Sequence, residues 1–302
     1  MPNRVFSTFF TLTVYLIICQ IAFGQNLNLK LHKSGISDRD LLGIGQPLTR
    51  ILNLTVTPNA ANDFPDTLRI LAIRVEFQED NTPLTTGNGK FDLSSSIDSN
   101  DLLIDPPPHD LNYFEHQLLA LANYFKTVSQ GKLVLQAEVF PKEPNASYTV
   151  AHEMSFYSPT GSEDLLDQRL SELFQEGFQL ADVRENIDFS QFDSFIIFHA
   201  GVGADFALDI DPTPQDVPSV FLDYTTLQKF LGNNDPAYPG ISVNEGRAFI
   251  RDGIILPETQ NQEGFKIALL GTMAIMFGHQ LGLPNLFNTD NGRTGIGVFG
   301  LM

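Results

Sequence analysis

The sequence predicts an α+β domain with a mixed sheet and a buried helix near its C-terminus. Three observations carry that expectation. Residues 67–78 alternate, with Ile73, Val75 and Phe77 on one side and Arg74, Glu76 and Gln78 on the other, which predicts a half-buried strand. Residues 195–198 are a continuous apolar run, the mark of a strand covered on both faces. Residues 266–281 carry Ile267, Leu270, Ala274, Phe277 and Leu281 at helical spacing, and Gly282 and Pro284 end the pattern.

The remaining elements follow in order. Residues 25–64 are polar and irregular, with prolines at 47 and 58, and read as a lead-in or a propeptide-like segment. After the first strand, residues 79–111 form a long loop rich in Asp, Ser, Gly and Pro. Phe114, Leu118, Leu121, Phe125 and Val128 repeat at helical spacing, and Gly131 closes that helix. Leu133, Leu135, Ala137 and Val139 give another strand. Ser162-Glu163-Asp164 opens a second amphipathic helix bearing Leu166, Leu170, Leu173 and Phe174. Residues 204–222 read as loop, and residues 246–256 carry strand character. No internal repeat is evident.

Composition excludes several functions. The 302-residue chain has 42% hydrophobic residues and 25 Phe, enough for a substantial core. Its net charge of −18 argues against binding nucleic acid, whose phosphates need basic patches, and against docking on anionic membranes. The N-terminus has the form of a secretory signal peptide over residues 1–24. Arg4 precedes an apolar stretch, and Ala22-Phe23-Gly24 is a small-x-small cleavage site. That stretch is too short and interrupted for a comfortable span, so no stable membrane anchor is expected. The one cysteine, Cys19, falls inside it, leaving no thiol for a disulfide or a thiolate zinc site. These features point to a secreted or extracellular protein, and the lack of disulfides leans toward bacterial export.

The chemistry concentrates in residues 272–302, TMAIMFGHQLGLPNLFNTDNGRTGIGVFGLM. The zinc-protease pattern H-E-x-x-H places two histidines on one helix face to grip the metal, with the glutamate as general base. His279 fits the second histidine, Ile275 stands four positions back, and Met276 stands where the glutamate belongs. Gly282, Pro284, Asp290, Gly295, Ile296, Gly297, Leu301 and Met302 complete the frame. GNGKFD (87–92), PPHD (107–110), NYFKTVSQGKL (123–133), DFSQFDSFIIFHAGVG (188–203) and LPETQ (256–260) extend it upstream. Together these segments resemble the immune inhibitor A-like secreted metallopeptidases, over residues 65–302. The resemblance implies a zincin-like metallopeptidase domain, zinc as cofactor, and extracellular protein or peptide as substrate or ligand. It also implies an incomplete domain here, because family domains continue beyond the Leu-Met pair.

The departures from the pattern shape the expected function. The resemblance would place metal ligands at 275, 279 and 285. Ile275 has no donor atom, Asn285 is a neutral amide, and only His279 is a retained ligand. Met276 cannot carry a proton, and general-base catalysis is typically worth about 10²- to 10⁴-fold. The expectation is therefore a protease scaffold that has lost proteolysis. Two alternatives stand beside it: an active zinc endopeptidase with non-motif ligands, and a pseudoprotease that binds peptides or partners.

Weaker candidates remain. Asp205, Asp209 and Asp211, with Asp216 and Asp223 nearby, offer carboxylates suited to calcium, as does Asp290, yet none has EF-hand spacing. The simpler reading is solvated loop acids and, at Asp290-Asn291-Gly292, a turn. His199 reads first as a strand-end histidine bonded to backbone. Glu258 and Glu245 are the acids to examine for a displaced general base, although spacing favours neither.

Overall fold

The computed structural model describes residues 66–95, 104–205, 212–261 and 266–284, together with the backbone of residues 28–29 and 206–207. It is a mixed α/β architecture built on one mixed sheet, consistent with the α+β expectation. Strands are β1 (Asn28–Leu29), β2 (Asp66–Glu76), β3 (Leu133–Phe140), β4 (Tyr148–Thr149), β5 (Ser194–Val202), β6 (Phe206–Ala207), β7 (Val220–Leu222), β8 (Ile241–Val243), β9 (Ala248–Ile250) and β10 (Gly253–Thr259). Helices are α1 (Leu111–Val128), α2 (Met154–Tyr157), α3 (Glu163–Arg184), α4 (Tyr224–Phe230) and α5 (Leu269–Gln280). The main sheet runs β3-β2-β5-β10-β7, and β4 adds to β2 beyond the end of β3. β2 pairs in parallel with β3 and β5, β5 pairs in parallel with β10, and β7 is an antiparallel edge. β8 and β9 form a separate antiparallel pair, and β1 pairs with β6.

Helices cover both faces of this sheet, as a largely parallel sheet requires. On one face lie α1 and α5, sharing a core with Leu68, Ile70, Ala72, Ile196, Phe198, Ile254 and Leu256. The rings of Phe125 and Phe277 join the two helices, 5.0 Å apart. On the other face lie α2, α3 and the β8–β9 pair, packed on Leu71, Ile73, Val75, Phe195, Ile197 and Ile255. Helix α3 comes unusually close. A Cβ on Gly253 would sit 2.1 Å from the Phe174 ring, and one on Gly177 would sit 2.9 Å from Ile197 Cδ1. Both positions are therefore glycine because ring and strand occupy that volume.

The central strands differ from the sequence expectation in one respect. β2 is not half-buried: Arg74 is 1% exposed. Its guanidinium donates to the carbonyls of Pro141 at 2.7 Å, Glu143 at 2.6 Å and Pro144 at 2.6 Å. Alternation misled because a long cationic side chain was read as solvent-facing, whereas three carbonyls replace its water. The region 204–222, expected as loop, contains β6 and the edge strand β7. Among the described residues no helix is long and apolar enough to cross a membrane.

Candidate functional site

Helix α5 begins at Leu269, three residues later than the apolar pattern suggests, and is buried from Thr272 to Gln280. Ile275 is 9% exposed and Met276 3%, and both belong to the core cluster that contains Phe114, Phe125 and Leu256. Polar groups at either position would sit in apolar surroundings. His279 is also buried, and its Nδ1 lies 3.1 Å from the Leu283 carbonyl. Asn285, the third ligand position of the resemblance, and Asp290 lie outside the described residues.

Catalytic zinc takes three protein ligands and leaves one position open. Positions 275 and 279 offer one imidazole and one hydrocarbon chain, so they do not fit that metal. Among the described residues no group of three His, Cys, Asp or Glu side chains is arranged to hold an ion.

One of the acids to examine, Glu258, is linked through His109 and Asp105 to the opposite end of α5. Glu258, near the end of β10, is 4% exposed. Its Oε1 accepts from Gly201 N at 2.7 Å, and its Oε2 accepts from Asp92 N at 3.0 Å. The same Oε2 lies 2.6 Å from His109 Nδ1, and Tyr113 Oη donates to the Glu258 carbonyl at 2.7 Å. This knot unites four segments that carried the sequence resemblance: 87–92, 107–110, 188–203 and 256–260. It is a fastening rather than a displaced base, since every Glu258 oxygen is already engaged and sealed from solvent. Distance agrees. Asp105, one carbonyl away from His109, accepts from Leu269 N, and His279 lies ten residues further, roughly 15 Å along a helix. Glu245 is a surface acid, 91% exposed at its side chain on a left-handed turn with φ of 59°.

Burial sets the protonation of His109 in competition with its partners. Desolvation would lower its pKa, but the hydrogen bond and charge of Glu258, aided by the Asp105 carbonyl and Asp92, raise it above 6.5. His199 shows the reverse. It is fully buried beside Phe77, and burial pushes its pKa down to about 4 against the weaker pull of the Ala200 carbonyl. Its Nδ1 lies 2.9 Å from that carbonyl, the backbone-bonded arrangement expected from sequence.

Asp205 and Asp216 each accept hydrogen bonds from a loop. Asp205 accepts from Ser219 N at 2.8 Å and Ser219 Oγ at 2.5 Å, and from the Gln260 amide. Asp216 accepts from Thr86 N at 2.6 Å and Thr86 Oγ1 at 2.7 Å. These carboxylates tie loops together, and Asp223 caps α4 through Thr226 N at 2.7 Å. Asp209 and Asp211 lie outside the described residues.

Sequence reasoning missed His109 and Asp105. Their role depends on contacts with residues 149 and 164 positions away, and the available signal was the presence of a histidine in one quoted segment and a glutamate in another. A scan of protein-family models and a search of curated proteins both found no match to this chain.

Proposed function

We propose that the chain is a non-catalytic homologue of the immune inhibitor A-like secreted metallopeptidases, a zincin-like scaffold whose metal site has been replaced by packing. One observation carries this reading: Ile275 and Met276, standing at a ligand and the general-base position, are built into the apolar core between α1, α5 and the sheet. The mixed sheet, its antiparallel edge and the late buried helix α5 support the zincin-like part. Extracellular location rests on the signal-like N-terminus and the acidic composition. With no metal-polarised water and no proton acceptor at 276, the motif offers no route to peptide-bond hydrolysis. Calcium remains a proposal that rests on the acidic loop alone.

A peptide-binding role in the same family frame is favoured by strand β7. It stands last in the strand order of the main sheet, beside α5. An extended peptide adds to such an edge through main-chain hydrogen bonds without needing any catalytic group. Casein hydrolysis with and without chelator separates the readings. No cleavage in either case supports the inactive homologue, and chelator-sensitive cleavage overturns it. Saturable binding of casein peptides without turnover adds the binding role.

A further inference from the structure

Helix α5 has no capping side chain of its own. Its N-cap residue, Ala268, offers none, and the Leu269 N–H is instead taken at 2.7 Å by Asp105 Oδ2, while Asp105 Oδ1 accepts from Gln117 of α1 at 2.9 Å. The Asp105 backbone carbonyl lies 3.2 Å from His109 Nε2, and His109 Nδ1 faces Glu258. Both ring nitrogens thus meet oxygen acceptors. Only the doubly protonated imidazolium can donate to both; a neutral ring leaves one contact without a proton. At the other end, Gln280 donates to Asp252 Oδ1 at 2.7 Å and accepts from Ser194 Oγ at 2.6 Å. Asp252 is buried, its hydrogen-bonding side-chain partner is a neutral amide, and the charge that acts on it is that of another acid, Asp223.

We infer that α5 is seated by a proton-dependent clamp, Asp105–His109–Glu258, at its N-terminus and rests at its C-terminus, through Gln280, on the buried Asp252 carboxyl group, so that the helix is held tighter in mildly acidic than in alkaline solution. Around His109 the charged or titratable neighbours are Glu258 on β10, Asp92 in the loop after β2, Asp105 before α1, and Tyr113 on α1. Around Asp252 the titratable neighbour is Asp223, at the start of α4. Both ends act in the same direction, because burial of Asp252 outweighs the preference of the Gln280 hydrogen bond for the ionised carboxylate. Burial raises the Asp252 pKa to about 6, so the folded state holds a proton that the unfolded chain releases, and stability falls as pH rises from 3.8 to about 6. The raised His109 pKa supplies stability that is complete below 6.5 and lost as pH climbs through the folded value. The windows adjoin, and the inference does not depend on the fate of the zinc site.

Hydrogen exchange followed by mass spectrometry, corrected for intrinsic rates, tests it on the full chain. The opening equilibrium of the α5 amides should grow about tenfold or more between about pH 5 and about pH 8, while the α3 amides change less. Asp252→Asn should flatten the acidic half of that dependence, and His109→Gln the alkaline half. Exchange from α5 that is independent of pH, or that changes equally in α3, overturns the inference. So does an unaltered dependence in the conservative Asp252→Asn variant.

Discussion

Helices α3 and α5 lie on opposite faces of the same sheet and are specified in opposite ways. α3 is written locally. Ser162 accepts from Leu165 N at 3.3 Å, Glu163 and Asp164 fill the first turn, Arg184 fills the last, and one side faces the sheet. Its 22 residues give it length enough for these local terms to add. α5 is written by the rest of the molecule. It has 12 residues, no cap of its own, and buried positions all around. Its start is set by Asp105 and its end by Ser194 and Asp252 through Gln280. Under the proposed function, a helix seated in this way could lose a motif's chemistry and keep its place, because its contacts with the scaffold seat it.

Three substitutions sharpen that contrast. Met276→Glu supplies, in isolation, the glutamate of the H-E-x-x-H pattern and places a carboxylate in the core. Urea unfolding should show a loss of about 3–5 kcal/mol, the scale of an uncompensated buried charge. Wild-type stability in this variant would mean that position 276 opens to water. Asp105→Ala removes the borrowed cap and strands Gln117, and should cost about 2 kcal/mol with the loss of exchange protection concentrated in α5. An even loss across both helices would break the distinction. Ser162→Ala removes a solvent-exposed local cap and should cost about 0.5–1 kcal/mol, visible mainly as fraying at the start of α3.

What was legible in the sequence follows the same division. α1, α3 and β3 were visible because their period lies within each segment, and β5 because its apolar run does. The burial of Arg74 was not, since the carbonyls that satisfy it come from residues 141–144 and nothing near Arg74 announces them. β7, β8 and α4 are three to seven residues long and set among polar loops, too short for a period to register. At the site, His279, Ile275 and Met276 could be read because the helical frame fixes their spacing. The Glu258–His109 fastening could not, because acid and imidazole meet only through the order of strands in the sheet. Sequence offered Glu258 as a reserve catalytic acid; its hydrogen bonds account for it as a structural one.

The most direct test of the central claim is zinc stoichiometry on the purified natural chain beside the variant Ile275→His/Met276→Glu/Asn285→Asp, with circular dichroism confirming that both are folded. The account predicts no stoichiometric zinc in the natural chain and about one equivalent in the variant, where three ligands and a base are restored on the standing scaffold. One tightly held zinc in the natural chain would contradict it, and would mean that ligands outside the motif meet at His279.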